Sequence, residues 1–453
     1  MKIENNEALQ VAPVTDLSDL NKAQLESAIR TYQKAFEEPP YQEAFTDEEA
    51  YGALQYILDS DGDVVMGKTE EEVVTLAGGY TKKRNIFYIE ELAVAPEQQG
   101  MGLGRKTLRA LIEKAMSREP DALEIRTTVK NERAIALYSS EGFISDAVTE
   151  TVAQIRQDGK IALDERIYLT REVKEEGMEK VNTLKRAAVV YPSGNTTAVV
   201  FDQRLDADRE ELNTMVMEAW KQQADGMPEI EQCCFVTLPK DERAVARVEM
   251  FGGEFCGNAT RSVIQLITEG KDYKGLIEVS GVDRPLNFDV SKGLISVEMP
   301  LPIEKDLAQE VAEGILVQLD GIAQLVVVDK NIQMSKPPRA MLDELLEQNK
   351  YRLAEQPAVG VTYYNKETKQ AEFGVWVQAV NIVFDETACG SGTCAIGIAS
   401  AIDANQSQWL EVIQPSGESI NTKATLDTVT GKVVASSISG QVSILYDGEL
   451  TLS

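Results

Sequence analysis

The chain has 453 residues, 43% hydrophobic and 26% charged, enough for two or three cores of ordinary globular composition. A formal net charge of −29 argues against the basic face that nucleic-acid binding needs. There is no histidine, which excludes Ser-His-Asp hydrolysis, Cys-His proteolysis and His-ligated zinc, and five cysteines make no disulfide framework.

No stretch reaches the roughly 18–20 apolar residues of a membrane helix, and the opening MKIENNEALQ lacks the basic and apolar regions of a signal peptide. The expectation is a cytoplasmic protein with no membrane or nucleic-acid partner. Proton chemistry near neutral pH then falls to carboxylates, thiols, tyrosine or lysine.

Hydrophobic periodicity predicts helices over Leu20–Phe36 and Asp47–Leu58 and strands over Val73–Tyr80 and Ile86–Val94. A glycine-rich turn at Gln99–Gly104 leads into a helix from Arg105 to about Ser117. A strand over Leu123–Val129 and a helix over Glu132–Ser140 follow. This order predicts an α/β or α+β sheet domain over residues 1–172. The turn has the physics of an anion cradle, with close backbone N–H groups at a helix start. A dinucleotide-binding turn is the rival, but this one sits mid-domain and no acidic residue ends a following second strand.

Residues 173–185 are charged and aperiodic and read as a linker. Beyond it, strands are expected at Ala187–Tyr191 and Thr196–Phe201, then a helix, further strands and a glycine-rich turn into a helix. The tail, Val433–Ser437 and Val442–Leu445 before a Tyr446-Asp447-Gly448 turn, reads as strands with a hairpin. Within 186–453, two α/β half-domains are expected, about 186–302 with the C-terminal strand and about 303–440.

Cys256-Gly257-Asn258-Ala259-Thr260 is echoed by Cys389-Gly390-Ser391-Gly392-Thr393. Each precedes a small or apolar helix, as two facing half-domains would place them. Inverting a stereocentre next to a carboxylate needs a base on one face of the carbon and an acid on the other. A matched pair of turns supplies both. A helix N-terminus lowers a thiol's pKa, and the N–H groups of Gly257, Asn258, Gly390, Ser391 and Gly392 are placed to cradle an α-carboxylate. The plainer alternative is two small-residue helix starts with inert thiols. Cys233, Cys234 and Cys394 read as core packing.

These motifs, with Gly194-Asn195-Thr196-Thr197, FGGEFCGNATRS at 251–262 and ETACGSGTCA at 386–395, resemble the diaminopimelate epimerase-like fold of cofactor-independent amino-acid racemases and epimerases. The resemblance implies Cys256 and Cys389 as the acid–base pair and Asn195 beside the substrate, with neither pyridoxal phosphate nor metal. The segment before Cys389, with Glu386 three residues upstream as a substrate-binding candidate, is shorter than in diaminopimelate epimerases, so the amino acid stays open.

In the first third, FYIEELAVAPEQQGMGLGRKTLRALI and VKNERAIALYSSEGF resemble the GNAT superfamily of acetyl-CoA-dependent N-acetyltransferases. That resemblance implies that Gln99, Gly100, Gly102, Gly104 and Arg105 hold the pyrophosphate, the backbone of Leu92–Val94 meets the pantetheine arm, and Asn131 belongs to the cofactor site. Tyr138 would protonate the leaving thiolate, and Glu91, or its neighbour Glu90, would deprotonate an acceptor amine. The expected whole is a bifunctional α/β and α+β multidomain enzyme acting on a free amino acid and an amine acceptor, with a homodimer compatible. Two readings stay open beside it: a phenazine-biosynthesis-type isomerase using Glu254, and a non-catalytic amino-acid and acetyl-CoA sensor.

Overall fold

The computed structural model describes residues 9–156, 158–173, 183–203, 209–223, 226–250, 252–302, 307–328, 336–378 and 381–452. The chain divides into two compact units, Met1–Lys180 with Gln203–Leu205, and Val181–Asp202 with Asp206–Ser453. Most of the expected linker lies outside the described residues, and the first strand of the second unit begins at Thr183.

The first unit holds strands β1 (Gln10–Val14), β2 (Asp63–Lys68), β3 (Val73–Lys82), β4 (Ile86–Val94), β5 (Ala122–Thr128), β6 (Ile144–Ile155) and β7 (Ile161–Glu172). They hydrogen-bond in the order β1-β2-β3-β4-β5-β7-β6. Side chains alternate across the sheet as the strand period dictates. Val64, Met66 and Leu76 pack under helices α1 (Lys22–Glu37) and α2 (Asp47–Asp59). Val65, Ala77, Phe87 and Ile89 pack under α3 (Leu103–Met116) and α4 (Glu132–Ser140). Both α1 and α2 start with reciprocal capping boxes, Asn21–Gln24 and Thr46–Glu49.

Two irregularities in this sheet matter. Between β3 and β4 the register slips, Gly78 opposing Glu91 but Gly79 opposing Ile89, so Glu90 is an extra residue. The bulge re-aims Glu90 and Glu91, which would otherwise face opposite sides, into one cavity. Then β4 pairs in parallel with β5 only over Ile86–Ile89, so the two strands part beyond it.

The second unit contains β8 (Thr183–Tyr191), β9 (Thr197–Val200), α5 (Arg209–Gln223), β11 (Gln232–Thr237), β12 (Ala244–Met250), α6 (Gly257–Thr268), β13 (Tyr273–Val279), β14 (Leu286–Ser291) and β15 (Leu294–Met299), while the two-residue β10 (Asp202–Gln203) falls on the division, Asp202 in the second unit and Gln203 in the first. It continues with β16 (Ala308–Val311), β17 (Gly314–Leu319), β18 (Ile322–Val328), α7 (Pro338–Glu347), β19 (Ala358–Tyr364), β20 (Ala371–Val377), β21 (Ile382–Asp385) and α8 (Gly390–Ala404). The last strands are β22 (Gln408–Ile413), β23 (Ser419–Asp427), β24 (Lys432–Gly440) and β25 (Ser443–Thr451). An 11-stranded sheet runs β22-β23-β24-β15-β14-β13-β12-β11-β9-β8-β25, and a 6-stranded sheet runs β16 to β21 in sequence order.

Helices α6 and α8 are buried on nearly every face, as helices made of small and apolar residues must be. Strands β9, β11, β12 and β15 pack around α6, while β17–β19 and β22–β24 pack around α8. One continuous sheet reaches both helices because β15 pairs antiparallel with β24, Ile295 opposite Gly440 through Met299 opposite Ser436.

The tail corrects one expectation. Tyr446, Asp447 and Gly448 form no turn and lie inside β25, paired in register with Val189, Ala188 and Ala187 of β8, with one register shift on either side of them. A two-toothed ion pair between Arg186 and Asp447, both contacts 2.9 Å, fixes that register. Asp447 therefore answers to a partner 261 residues away, which no local reading can see.

The β3–β4 bulge gives a stability prediction. A Cβ added at Gly79 would sit 2.3 Å from the carbonyl oxygen of Tyr88. Gly79→Ala is expected to cost about 1–3 kcal/mol by overpacking, read as a lowered urea midpoint, whereas Gly52→Ala, in open space, should be neutral or stabilising.

Candidate active sites

In the second unit Cys256 is the N-cap of α6 and Cys389 the N-cap of α8, both with extended backbone. Each sulfur takes the place of the usual capping oxygen. Cys256 Sγ accepts the N–H of Ala259 at 3.4 Å, and Cys389 Sγ accepts the N–H of Gly392 at 3.3 Å. Each thiol also meets a glutamine from a strand. Cys256 donates to Gln232 Oε1 at 3.3 Å, and Gln324 Nε2 donates to Cys389 Sγ at 3.9 Å.

The two helix N-termini face one another. A Cβ placed on Gly390 would be 3.9 Å from the backbone nitrogen of Asn258, and Cβ atoms on Gly257 and Gly390 would both meet Ile438 Cδ1. Asn258 bridges the two turns, donating from Nδ2 to the carbonyl of Ala388 at 3.3 Å and accepting from Arg261 at Oδ1 at 2.9 Å. Gly194, at φ 121°, presses on the same turn: a Cβ there would lie 2.6 Å from Ala388 Cβ. The next residue, Asn195, donates its N–H to Thr387 Oγ1 at 3.0 Å.

Both cysteines, with Asn195, Gly257, Asn258, Glu386, Gly390 and Ser391, line one cavity of about 470 Å³. Gly392 does not. Its N–H is committed to the Cys389 sulfur, and a Cβ there would strike Phe373 and Thr362, so its role is capping and packing. Gln232, Glu254 and Asp320 line the cavity as well.

The electrostatics also correct the expectation of lowered thiol pKa values. Burial pushes the Cys256 thiol up to about 11, and the N–H bonds of Ala259 and Asn258 only partly oppose it. Cys389 is pushed well up by burial and then by the carboxylate of Glu386, which is hydrogen-bonded to it. Burial likewise raises Glu386 itself to about 7. Desolvation outweighs the helix end at both sulfurs.

Arg261 lies fully buried behind these turns, and burial lowers its pKa to about 10. It donates to the carbonyl of Pro192 at 2.7 Å and to Asn258, while Nε and Nη1 have no hydrogen-bond partner. Its Asn258 contact was not legible beforehand, although an arginine inside an apolar helix was a signal available in the sequence. Gln232 and Gln324 were similarly signalled, each a lone amide in an otherwise apolar strand.

In the first unit, Glu91 and Tyr138 line a cavity of about 210 Å³ with Tyr32, Tyr41 and Arg126. Tyr32 donates to Glu91 Oε1 at 2.8 Å. Burial, then the charge of Glu90, raises Glu91 to about 8, and Tyr32 opposes this. Burial drives Tyr138 well above its ordinary value, so it stays a neutral phenol.

Past Ile89, Leu92 and Val94 lie on the stretch of β4 that has parted from β5. Gly100 and Gly102 adopt φ of 81° and 80° with open space at their Cα atoms, and Gly102 caps α3 with no side-chain bond. Gln99 donates to the carbonyl of Val94 at 3.4 Å, Gly104 packs on Val94, and Arg105 pairs with Glu141 at 3.4 Å. Asn131 caps α4 through the N–H of Ala134 at 3.1 Å and donates to Tyr41 Oη at 3.2 Å.

Residues 187–450 match the family model "Histidine racemase CntK N-terminal domain", which is more than half of the chain. The chain belongs to that family. Residues 25–143 match "Acetyltransferase (GNAT) family", so the chain joins an acetyltransferase-type unit to a racemase-type unit. A histidine racemase of Fusobacterium nucleatum subsp. nucleatum is 29% identical over 187 residues, 38% of this chain and 68% of its own. A Staphylococcus aureus histidine racemase is 22% identical over 270 residues, covering 57% and 94%. Among solved structures, the Escherichia coli ribosomal-protein-S18-alanine N-acetyltransferase aligns at 19% identity over 38% of this chain and 98% of its own, with TM-score 0.29. A putative Salmonella typhimurium acetyltransferase solved with acetyl-CoA aligns at 17% over 38% and 97%, with TM-score 0.30.

The bridge at Asn258 generates the prediction for the racemase-type unit. Asn258→Ala leaves buried Arg261 with a single carbonyl partner, and an unpaired buried donor of this kind costs about 1–3 kcal/mol. Urea unfolding should show that loss, and Asn258→Asp, which keeps an acceptor for Arg261, should recover part of it.

Proposed function

We propose that the second unit racemises a free amino acid by two-base proton transfer between Cys256 and Cys389, without pyridoxal phosphate or metal. One observation carries this reading: two thiols capping two facing helices open into the same cavity. A substrate α-carboxylate bound to the N–H groups of Gly257, Asn258, Gly390 and Ser391 would sit on two positive helix ends at once. That position stabilises the charge developing as Cα loses its proton. One thiolate removes the proton, the opposite thiol returns one to the other face, and the next turnover runs in the reverse sense. The incoming α-ammonium offsets part of the burial that keeps the thiols protonated.

The cavity also carries the carboxylates of Glu254 and Asp320, and its described lining has no lysine or arginine. This favours a cationic or protonatable side chain. With relatives named histidine racemases, histidine is the first substrate to test, with lysine and arginine beside it.

Purified protein should incorporate solvent deuterium at Cα of that amino acid in D₂O under reducing conditions, with no added cofactor. Cys256→Ser and Cys389→Ser should each lower racemisation at least about 100-fold, the lower range for a lost general acid or base. Racemisation at the wild-type rate in either variant would refute the assignment. Because burial holds both thiols protonated, kcat/KM should climb from pH 7 to pH 9. The climb should stay below tenfold per unit, since Glu386, ionising near 7, holds Cys389 up.

For the first unit the proposal is acetyl transfer from acetyl-CoA to an amine. The uncapped start of α3, the open glycines and the length of β4 that has parted from β5 fit the pyrophosphate and the pantetheine arm. Glu91 takes the proton of the acceptor amine and Tyr138 returns one to the departing thiolate. With Glu91 titrating at about 8, transfer should fall as pH drops below 8, approaching tenfold per unit. Glu91→Gln should lose about 100-fold and flatten that limb. An unchanged pH profile in Glu91→Gln would remove Glu91 from the mechanism.

A further inference from the structure

The acceptor cavity of the first unit is polarised by its place in the sheet. Where β4 parts from β5, the β4 arm carries the neighbouring carboxylates Glu90 and Glu91, brought to one side by the bulge. Arg126, the first β5 residue beyond the β4–β5 pairing, and Arg166 on β7 line the same cavity.

The charges on the two arms are held differently. Glu90 and Glu91 are each hydrogen-bonded by a tyrosine, Tyr80 at 3.1 Å and Tyr32 at 2.8 Å, and neither has an ion pair among the described residues. Arg126 pairs with Glu150 at 2.9 Å. Arg166 pairs with Glu43, yet its side chain is only 8% exposed and its buried Nε has no hydrogen-bond partner. A buried guanidinium N–H without an acceptor calls for one, and a carboxylate is the group that matches it best.

A cavity of about 210 Å³ is smaller than the roughly 300–1,000 Å³ of drug-sized pockets. It suits one small molecule rather than a protein segment. From this arrangement, and resting on the acetyltransferase reading above, we infer that the acetyl acceptor is a free α-amino acid, its ammonium at Glu90 and Glu91 and its carboxylate at Arg126 and Arg166.

The reaction balances with the groups present. The amine, deprotonated at Glu91, attacks the thioester carbonyl. The new C–N bond forms as the C–S bond breaks, the thiolate takes the proton of Tyr138, and the phenolate left behind takes the second proton that the nitrogen loses as it becomes an amide. The products are the N-acetylamino acid and CoA. Acetylation removes the positive charge of the α-amine, so the product no longer matches the acidic arm and leaves. A chain that racemises a free amino acid in one unit and acetylates a free amino acid in the other would act twice on one substrate class.

The test compares acceptors on the full-length protein with acetyl-CoA, reading released thiol and product mass. Free L- and D-amino acids, including histidine, are set against their α-carboxamides, a diamine and a short peptide. The expected result is a kcat/KM at least tenfold higher for a free amino acid than for its carboxamide. Arg126→Gln should raise KM for the free acid about tenfold more than for the carboxamide, a difference between acceptors that simple loss of folding cannot produce. Acetylation of the carboxamide, diamine or peptide as fast as any free amino acid overturns the inference and leaves the acetyltransferase reading standing. No calorimetric binding of acetyl-CoA overturns both.

Discussion

The second unit is organised around a geometric demand: two helices must point their N-termini at one small volume, from opposite directions, with a sulfur at each tip. Helix ends normally avoid this, because two positive ends repel and eight backbone N–H groups need acceptors. Here the sulfurs accept backbone donors, Cys256 at Ala259 and Asn258 and Cys389 at Gly392. The bridge from Arg261 through Asn258 to the carbonyl of Ala388 then ties the turns together. What is left over is two positive helix ends beside one cavity, the feature on which the proposed carboxylate site rests. The fold around it, with its long sheet shared through β15 and β24, keeps both helices from turning away.

The same arrangement sets two forces against each other at the thiols. Proximity to a helix start favours the thiolate, and removal from water disfavours it. Burial wins for both Cys256 and Cys389. A resting enzyme with two thiolates side by side would bind an anionic carboxylate poorly. In the proposed reaction, protonated thiols remove that repulsion and the amino acid brings its own ammonium. Arg261, buried with two unpartnered nitrogens, supplies a fixed positive charge behind the turns that does not depend on the substrate.

How much of this was legible in the sequence follows from how local each feature is. The strand Ile86–Val94 and the helix Glu132–Ser140 coincide with expectation because their apolar spacing and caps lie within themselves. The echo of Cys256 and Cys389 was readable as a repeated motif, and both open into one cavity. Features that depend on distant partners were not readable. Tyr446-Asp447-Gly448 has turn chemistry, but Arg186 claims Asp447 for a strand. Asn131 matched a motif, but its bond to Tyr41 lies outside that motif. The direction of the thiol shifts depends on how much protein closes over each sulfur, which no motif encodes.

The absence of histidine gives these burial effects their point. A protein without imidazole lacks the one side chain that ordinarily titrates between pH 5 and 8. Both cavities replace it by desolvation, taking Glu386 to about 7 and Glu91 to about 8. These two carboxyls have little else in common. Glu386 stands beside a sulfur in the second unit, while Glu91 stands on a bulged strand beside Glu90 in the first. In each, burial raises the value and a hydrogen bond, from Cys389 or from Tyr32, tempers it. Near-neutral proton exchange is thus a property of the cavity rather than of the residue type. Opening either cavity to water would return its carboxyl toward the ordinary acidic range even with every named side chain retained.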